Sequence, residues 1–160
     1  MAKAMSLRLL LSALALFTLS ATAAAGQDRE VPYWASIRVG KVNMRVGPAE
    51  TYNIAWVYRR KELPVKVLRL KEGWRLVEDP DGARGWVRGQ FLSRDRTAIV
   101  RGKALAAMRD KGSEAAKLLW RVEPGVVGKL GDCTAGWCRF AVGPHLGFVR
   151  EERLWGVGDP

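Results

Sequence analysis

The sequence predicts an all-β protein built from two copies of one small barrel-like or sandwich-like unit. Three observations carry that expectation. A Gly-Trp pattern occurs twice: Gly73-Trp74-Arg75-Leu76-Val77 with Gly85-Trp86-Val87 behind it, then Gly136-Trp137-Cys138-Arg139-Phe140 with Gly147-Phe148-Val149 behind it. The upstream halves align too, Asn43-Met44-Arg45 over Ala107-Met108-Arg109, with 30 positions from Met44 to Trp74 and 29 from Met108 to Trp137. Between these landmarks, period-two alternation and turn residues dominate, the signature of short strands.

The N-terminal 25 residues are set aside as a secretory signal peptide. Lys3 and Arg8 charge the extreme N-terminus, Leu9 to Leu19 is apolar, and Ala21-Thr22-Ala23-Ala24-Ala25 supplies small residues before Gly26. The apolar run of 11 residues falls short of the roughly 20 a membrane-spanning helix needs. The mature chain is therefore expected to be exported, periplasmic or extracellular, with no transmembrane segment. It divides into units at 34–94 and 95–160. Units that small bury little core, so support from a disulfide or from mutual packing is expected.

In the first unit, Ser36 to Val39 and Val42 to Val46 alternate around Gly40, and Gly47-Pro48 ends the strand. Ala49 to Asn53 is an irregular loop, Ile54 to Tyr58 the next strand, and Arg59 to Glu62 a charged turn. Leu63 to Leu70 is a strand whose Pro64 suits an edge or an early position. Lys71-Glu72-Gly73 turns it into Trp74 to Glu78. Asp79-Pro80-Asp81-Gly82 is a strong turn, and Ala83 to Arg88 completes the unit. Thr97 to Val100, between the copies, is apolar enough to be a paired strand. In the second unit, propensity alone would allow helical turns over 104–108 and 114–120, but alignment of the copies makes Ala115 to Trp120 the counterpart of the Ile54–Tyr58 strand. Glu123-Pro124-Gly125 is a turn, Val126 to Leu130 and Trp137 to Val142 are strands, and Gly143 to Gly147 turns into Phe148-Val149-Arg150.

The two cysteines, Cys133 and Cys138, lie in the second unit. In an exported protein they read first as a disulfide closing a hairpin. The alternative, a metal site with His145, lacks the second cysteine pair or second histidine of a zinc signature. No cofactor is indicated.

Taken together, Val42-Asn43-Met44-Arg45-Val46-Gly47-Pro48, Trp74 and Gly85-Trp86-Val87 resemble the bacterial Src-homology-3-like (SH3) domains. Cys133, Gly136-Trp137-Cys138-Arg139 and Leu154-Trp155-Gly156-Val157 resemble the variant whose hairpin carries a cysteine pair. The resemblance spans 36–157. It implies SH3-like, partly open β-barrels of five or six strands, in tandem, of a kind often linked to binding peptidoglycan or its peptides. The second copy departs from the pattern, since Met108-Arg109 runs into Asp110-Lys111-Gly112-Ser113 without Gly-Pro.

No catalytic constellation is present, and the expected function is non-catalytic binding. Ser93 and Ser113 lack a base, and Asp79 and Asp81 belong to a turn. The loop after the first strand and the charged turn after the second flank one face in such a barrel. Arg45, Glu50, Tyr52, Trp56 and Tyr58 are therefore expected near one another, with Arg59 and Arg60 at the rim, able to hold a cell-wall peptide or glycan. Alternation favours an inward, core Trp56 over this ligand-facing one. The Gly-Trp tryptophans and Phe148 read as core or core-edge. An alternative role is docking on another envelope protein. The chain carries 27 Lys and Arg against 16 Asp and Glu, a formal net charge of +11, which also suits polyanions such as lipopolysaccharide. Nucleic acid is disfavoured by the export signal and the lack of exposed aromatic–basic repeats.

Overall fold

The computed structural model describes residues 31–160, so the leader expected over 1–25 lies outside the described residues. The chain folds into two seven-stranded antiparallel sheets with no α-helix among the described residues. The first holds β1 (Tyr33–Ile37), β2 (Val42–Arg45), β3 (Ile54–Tyr58), β4 (Pro64–Lys71), β5 (Trp74–Glu78), β6 (Arg84–Arg88) and β7 (Leu92–Ser93). The second holds β8 (Thr97–Val100), β9 (Ala106–Arg109), β10 (Leu118–Val122), β11 (Val127–Thr134), β12 (Trp137–Val142), β13 (His145–Arg150) and β14 (Leu154–Trp155). Strand orders are β3-β2-β6-β5-β4-β1-β7 and β10-β9-β13-β12-β11-β8-β14, the same topology twice. Each sheet curls around its own apolar cluster, centred on Val65, Val67, Val77 and Val87 in the first and on Met108, Phe140 and Val149 in the second.

The glycines of the repeated signature perform two jobs. Gly73 and Gly136 close two-residue hairpin turns with φ of 86° and 77°, behind Glu72 and Ala135 at 42° and 50°. Consecutive positive φ values match the twist of the flanking strands, and glycine carries the second one without strain. Gly85 and Gly147 lie under methionines. A Cβ on either would sit 2.5 Å from the Cγ of Met44 or Met108, so the strand crossing needs a bare backbone there. The expected reading of Trp74 and Trp137 as core holds, while Trp86 and Phe148 are half-buried at the core edge.

Two expected boundaries shift. The first strand begins at Tyr33, ahead of the alternating stretch, and all five of its residues are buried. One face points into the first cluster; the other carries Trp34, covered by the C-terminal end of the chain, so alternation is masked. The turn predicted over Gly143 to Gly147 is shorter, because His145 and Leu146 already pair with Val142 and Ala141. Pro64 opens β4 opposite Ser36, an early position as expected.

The cysteines face each other across the β11–β12 hairpin and are joined as a disulfide, with Cα atoms 4.0 Å apart. In the first barrel, Tyr58 is buried and its hydroxyl donates to Asp79 Oδ2 at 3.0 Å. The other Asp79 oxygen accepts the backbone N–H of Asp81 and of Ala83, at 3.0 and 2.9 Å. The predicted Asp-Pro-Asp-Gly turn is thus tied to the core by its first residue.

These contacts lead to three stability predictions. Replacing both cysteines by alanine should cost about 2 kcal/mol in urea unfolding, the loop-closure value for so short a ring. Asp79→Ala should cost more than Tyr58→Phe, which should cost about 1–2 kcal/mol, because the former leaves several donors unmatched. Burial, reinforced by the Asp79 charge, pushes the Tyr58 phenol far above its ordinary value of 10.0. A group whose folded pKa is raised stabilises the fold fully below its unfolded pKa, and that stabilisation is lost as pH rises past it. Urea midpoints should therefore fall above about pH 10, and fall less steeply in Tyr58→Phe.

Candidate functional site

The expected ligand face separates into two groups. The first is an internal clamp. The Arg45 guanidinium donates through Nη1 to the Tyr52 carbonyl at 2.7 Å and through Nη2 to Glu50 Oε2 at 2.8 Å. Arg88 Nε donates to Glu50 Oε1 at 2.9 Å, and its guanidinium lies over the Trp74 ring, 4.8 Å from the centroid. The two arginines beside Glu50 hold its carboxyl below the usual carboxylate range, Arg88 most strongly. Tyr52 is 47% exposed and packs one ring face on the Gly47 backbone, where a Cβ would lie 2.5 Å from the ring. Arg45, Glu50 and Tyr52 are brought together as expected, but Arg45 is engaged within the loop.

The second copy repeats the clamp. Arg109 donates to the Ala116 carbonyl at 2.8 Å and to Glu114 at 3.4 Å, Arg150 donates to Glu114 at 2.8 Å, and Arg150 lies over Trp137 at 4.9 Å. Arg88, Arg109, Glu114 and Arg150 were not singled out from sequence. The signal was available: arginine precedes glutamate by five positions in both copies, and Gly-Trp-Val-Arg and Gly-Phe-Val-Arg supply the second arginine. Such exposed networks contribute little stability; their effect is to fix the loop that lacks regular structure.

The second group lies along β3. Cross-strand pairing sets Trp56 opposite Met44 and Tyr58 opposite Val42, so Trp56 does point to the inward side as alternation requires. It is nonetheless 59% exposed. The reason is position: β3 ends the sheet, and the barrel stays open above it. Ile54, which pairs with Arg45 beyond a shift in register, is exposed as well. The expected core reading of Trp56 is therefore corrected, whereas Tyr58 is 5% exposed, has its hydroxyl bound to Asp79, and lies at the floor of the cleft described next.

Trp56 opens onto a cleft of about 520 Å³ between the barrels. Its first wall holds Trp56, Arg60, Leu63 and the Asp79-Pro80-Asp81 turn, with the Tyr58 hydroxyl at the floor; the facing wall is Ile99 to Gly102 with Pro124 and Gly125. Arg60 lines the cleft, whereas Arg59 is exposed outside it, and Arg45, Glu50 and Tyr52 stand away from it. Arg101 spans the cleft edge, donating to the Pro80 carbonyl and lying 3.6 Å from Asp81 Oδ1. The arrangement offers an aromatic wall, an open strand edge and guanidinium groups, which suits reversible binding of an extended polymer. Among the described residues no cluster of three histidine, cysteine or acidic side chains forms a metal centre, and both cysteine sulfurs are bonded to each other.

The sequence profile of the bacterial SH3 domain matches residues 38–93 and again 102–156. No curated protein matches the chain. Among solved structures, the chain is similar to NlpC2 from Trichomonas vaginalis, at 14% identity and a TM-score of 0.35, covering 78% of this chain and 48% of that one. It is likewise similar to NlpC1 from the same organism, at 12% identity and a TM-score of 0.36, covering 81% and 48%. The chain thus spans about half the length of these proteins. Both copies, with their shared strand order and Gly-Trp signatures, fall within the matched segments, and the chain belongs to the bacterial SH3 domain family.

Proposed function

We propose that this protein is a non-catalytic, exported binding module of the cell envelope that holds peptidoglycan peptide or glycan strands. Membership of the bacterial SH3 family supports the class. The disulfide suits an oxidising compartment, and no helix of the described residues is long and apolar enough to cross a membrane. On this reading residues 1–25 are removed on export, and 34–94 and 95–160 are the two binding-scale units. The observation that carries the proposal is the open tryptophan: a large ring left exposed on an end strand, over a preformed cleft. An end strand has unused N–H and C=O groups that an extended peptide can pair with, and a flat ring gives it an apolar surface. Trp56 is the main contact, Arg60 and Arg59 supply positive charge, and Tyr52 extends the surface at the loop. Arg45 and Glu50 hold the loop in place.

Co-sedimentation of the oxidised protein with purified sacculi tests this. Retention should persist at high salt, and Trp56→Ala should weaken it by about tenfold or more, the loss expected for a central aromatic anchor. Tyr52→Ala should weaken it less. Retention that vanishes with salt would reduce the interaction to nonspecific polyanion attraction, and no retention at either salt would favour an envelope protein as the partner.

A further inference from the structure

We propose that the chain has a single ligand site, shared by both barrels, and that it takes the free carboxylate end of a short extended peptide. This rests on the binding reading above and specifies where the ligand sits and which end of it is recognised.

Alignment of the copies predicts two equivalent sites, since Met44 over Met108 places Trp56 over Trp120, and Trp120 pairs with Met108 as Trp56 does with Met44. The two sites differ in what surrounds the tryptophan. The ring of Trp120 has His145 against it, centroids 4.8 Å apart, and is 39% exposed against 59% for Trp56. The floor differs as well. Tyr58 and Asp79 fall over Val122 and Val142, so a hydrogen-bonded polar pair in the first barrel is an apolar pair in the second. Among the described residues, only the first site has a second wall, supplied by Ile99 to Gly102 and Pro124-Gly125 of the other barrel.

That second wall is held in place. Trp34 packs edge-on against Trp155 at 4.8 Å and donates its indole N–H to the Gly158 carbonyl at 3.0 Å. Arg96 donates to the Gly156 carbonyl at 3.0 Å. Gly156 has a φ of 107°, and a Cβ there would lie 2.6 Å from the Thr97 carbonyl oxygen. A preformed cleft spares a ligand the cost of ordering it.

The charges of the cleft name the recognised group. Asp79 is matched by the Tyr58 hydroxyl and two backbone N–H groups, and Asp81 lies beside Arg101. Arg60 is the lining cation with no salt bridge among the described residues. A guanidinium recognises a carboxylate through paired N–H donors, and Trp56 beside it receives the apolar part of the last residues.

The test is NMR of the exported chain, 26–160, with N-acetyl tetra-alanine, as the free acid and as the C-terminal amide, following the tryptophan indole N–H signals. The acid should move the Trp56 signal and leave Trp120 unmoved, saturate at one peptide per chain, and bind about tenfold more tightly than the amide, as one charge-assisted contact implies. Arg60→Gln, an exposed change that preserves the fold, should bring the acid down to the amide. Equal binding of acid and amide, or saturation at two peptides with both tryptophans moving, would overturn the shared carboxylate site. Should sacculus retention depend on Trp56 while neither peptide form binds, the carboxylate site falls and the binding-module reading stands. Should sacculus retention fail as well, both fall.

Discussion

The packing of the second barrel's first strand and last turn against the first barrel is the contact from which the other features descend. Ile99 of β8 belongs to the first apolar cluster, and Val127 and Trp155 pack against it. A unit of roughly 60 residues buries too small a share of its surface to be comfortable alone, and here the first unit's core takes in apolar residues of the second. The borrowing also explains β1. With the first core on one side and Trp155 and Gly158 on the other, every residue from Tyr33 to Ile37 is buried. The contact is made by packed side chains and by the Gly158 carbonyl accepting from Trp34, and the space left beneath it is the cleft.

The copies retain the same scaffold and differ where they meet solvent. Methionine over glycine at the strand crossing, the Arg–Glu–Arg clamp and the two-residue positive-φ hairpin are present in both. Each solves a problem of backbone geometry that any barrel of this topology faces. The tryptophan of the end strand is retained as well, yet its neighbours are not: Tyr58 and Asp79 in one copy, Val122, Val142 and His145 in the other. The polar pair costs more to bury than two valines, so its placement at the floor of the open cleft, with every Asp79 oxygen matched, is consistent with a surface meant to meet a polar chain. The disulfide stands in the second copy alone, at the tip of the longest hairpin, where β11 extends beyond the core into exposed residues.

Most of the fold was legible in the sequence because its cues are local. Alternation marked β2, β5 and β6, Gly-Trp marked the hairpin ends, and the apolar Thr97 to Val100 marked a paired linker strand. The misjudged parts depend on contacts distant in sequence. Nothing near β1 announces that Trp155 will cover its outer face. Trp56 was the instructive case, since its direction followed from alternation while its exposure followed from being on the last strand of an open sheet, a property of topology. The separation of Arg45 and Glu50 from Trp56 was hidden for the same reason: residues close in sequence around one loop point to opposite sides of β2 and β3. The clamp partners Arg88 and Arg150 lie about 40 residues from their glutamates, and only comparison of the copies would have paired them.

The positive charge of the chain acquires a different meaning from this arrangement. Read as a sum, an excess of Lys and Arg suggests attraction to any polyanion. Read residue by residue, Arg45, Arg88, Arg96, Arg101, Arg109, Arg150 and Arg153 each donate to a carbonyl or carboxylate of the chain itself. The guanidinium is suited to this task, because its planar fork can hold a backbone carbonyl and a carboxylate at once and can lie over a ring. Loops and turns without regular strand partners need donors for their carbonyls, and a small barrel has few core residues to spare for the purpose. Much of the arginine content is therefore structural, and the charge left for a partner is concentrated at specific points, Arg59 and Arg60 behind β3 among them. On the proposed binding reading, selectivity follows from where a free guanidinium stands relative to an exposed ring and an unpaired strand edge, and the net charge adds long-range attraction that salt removes.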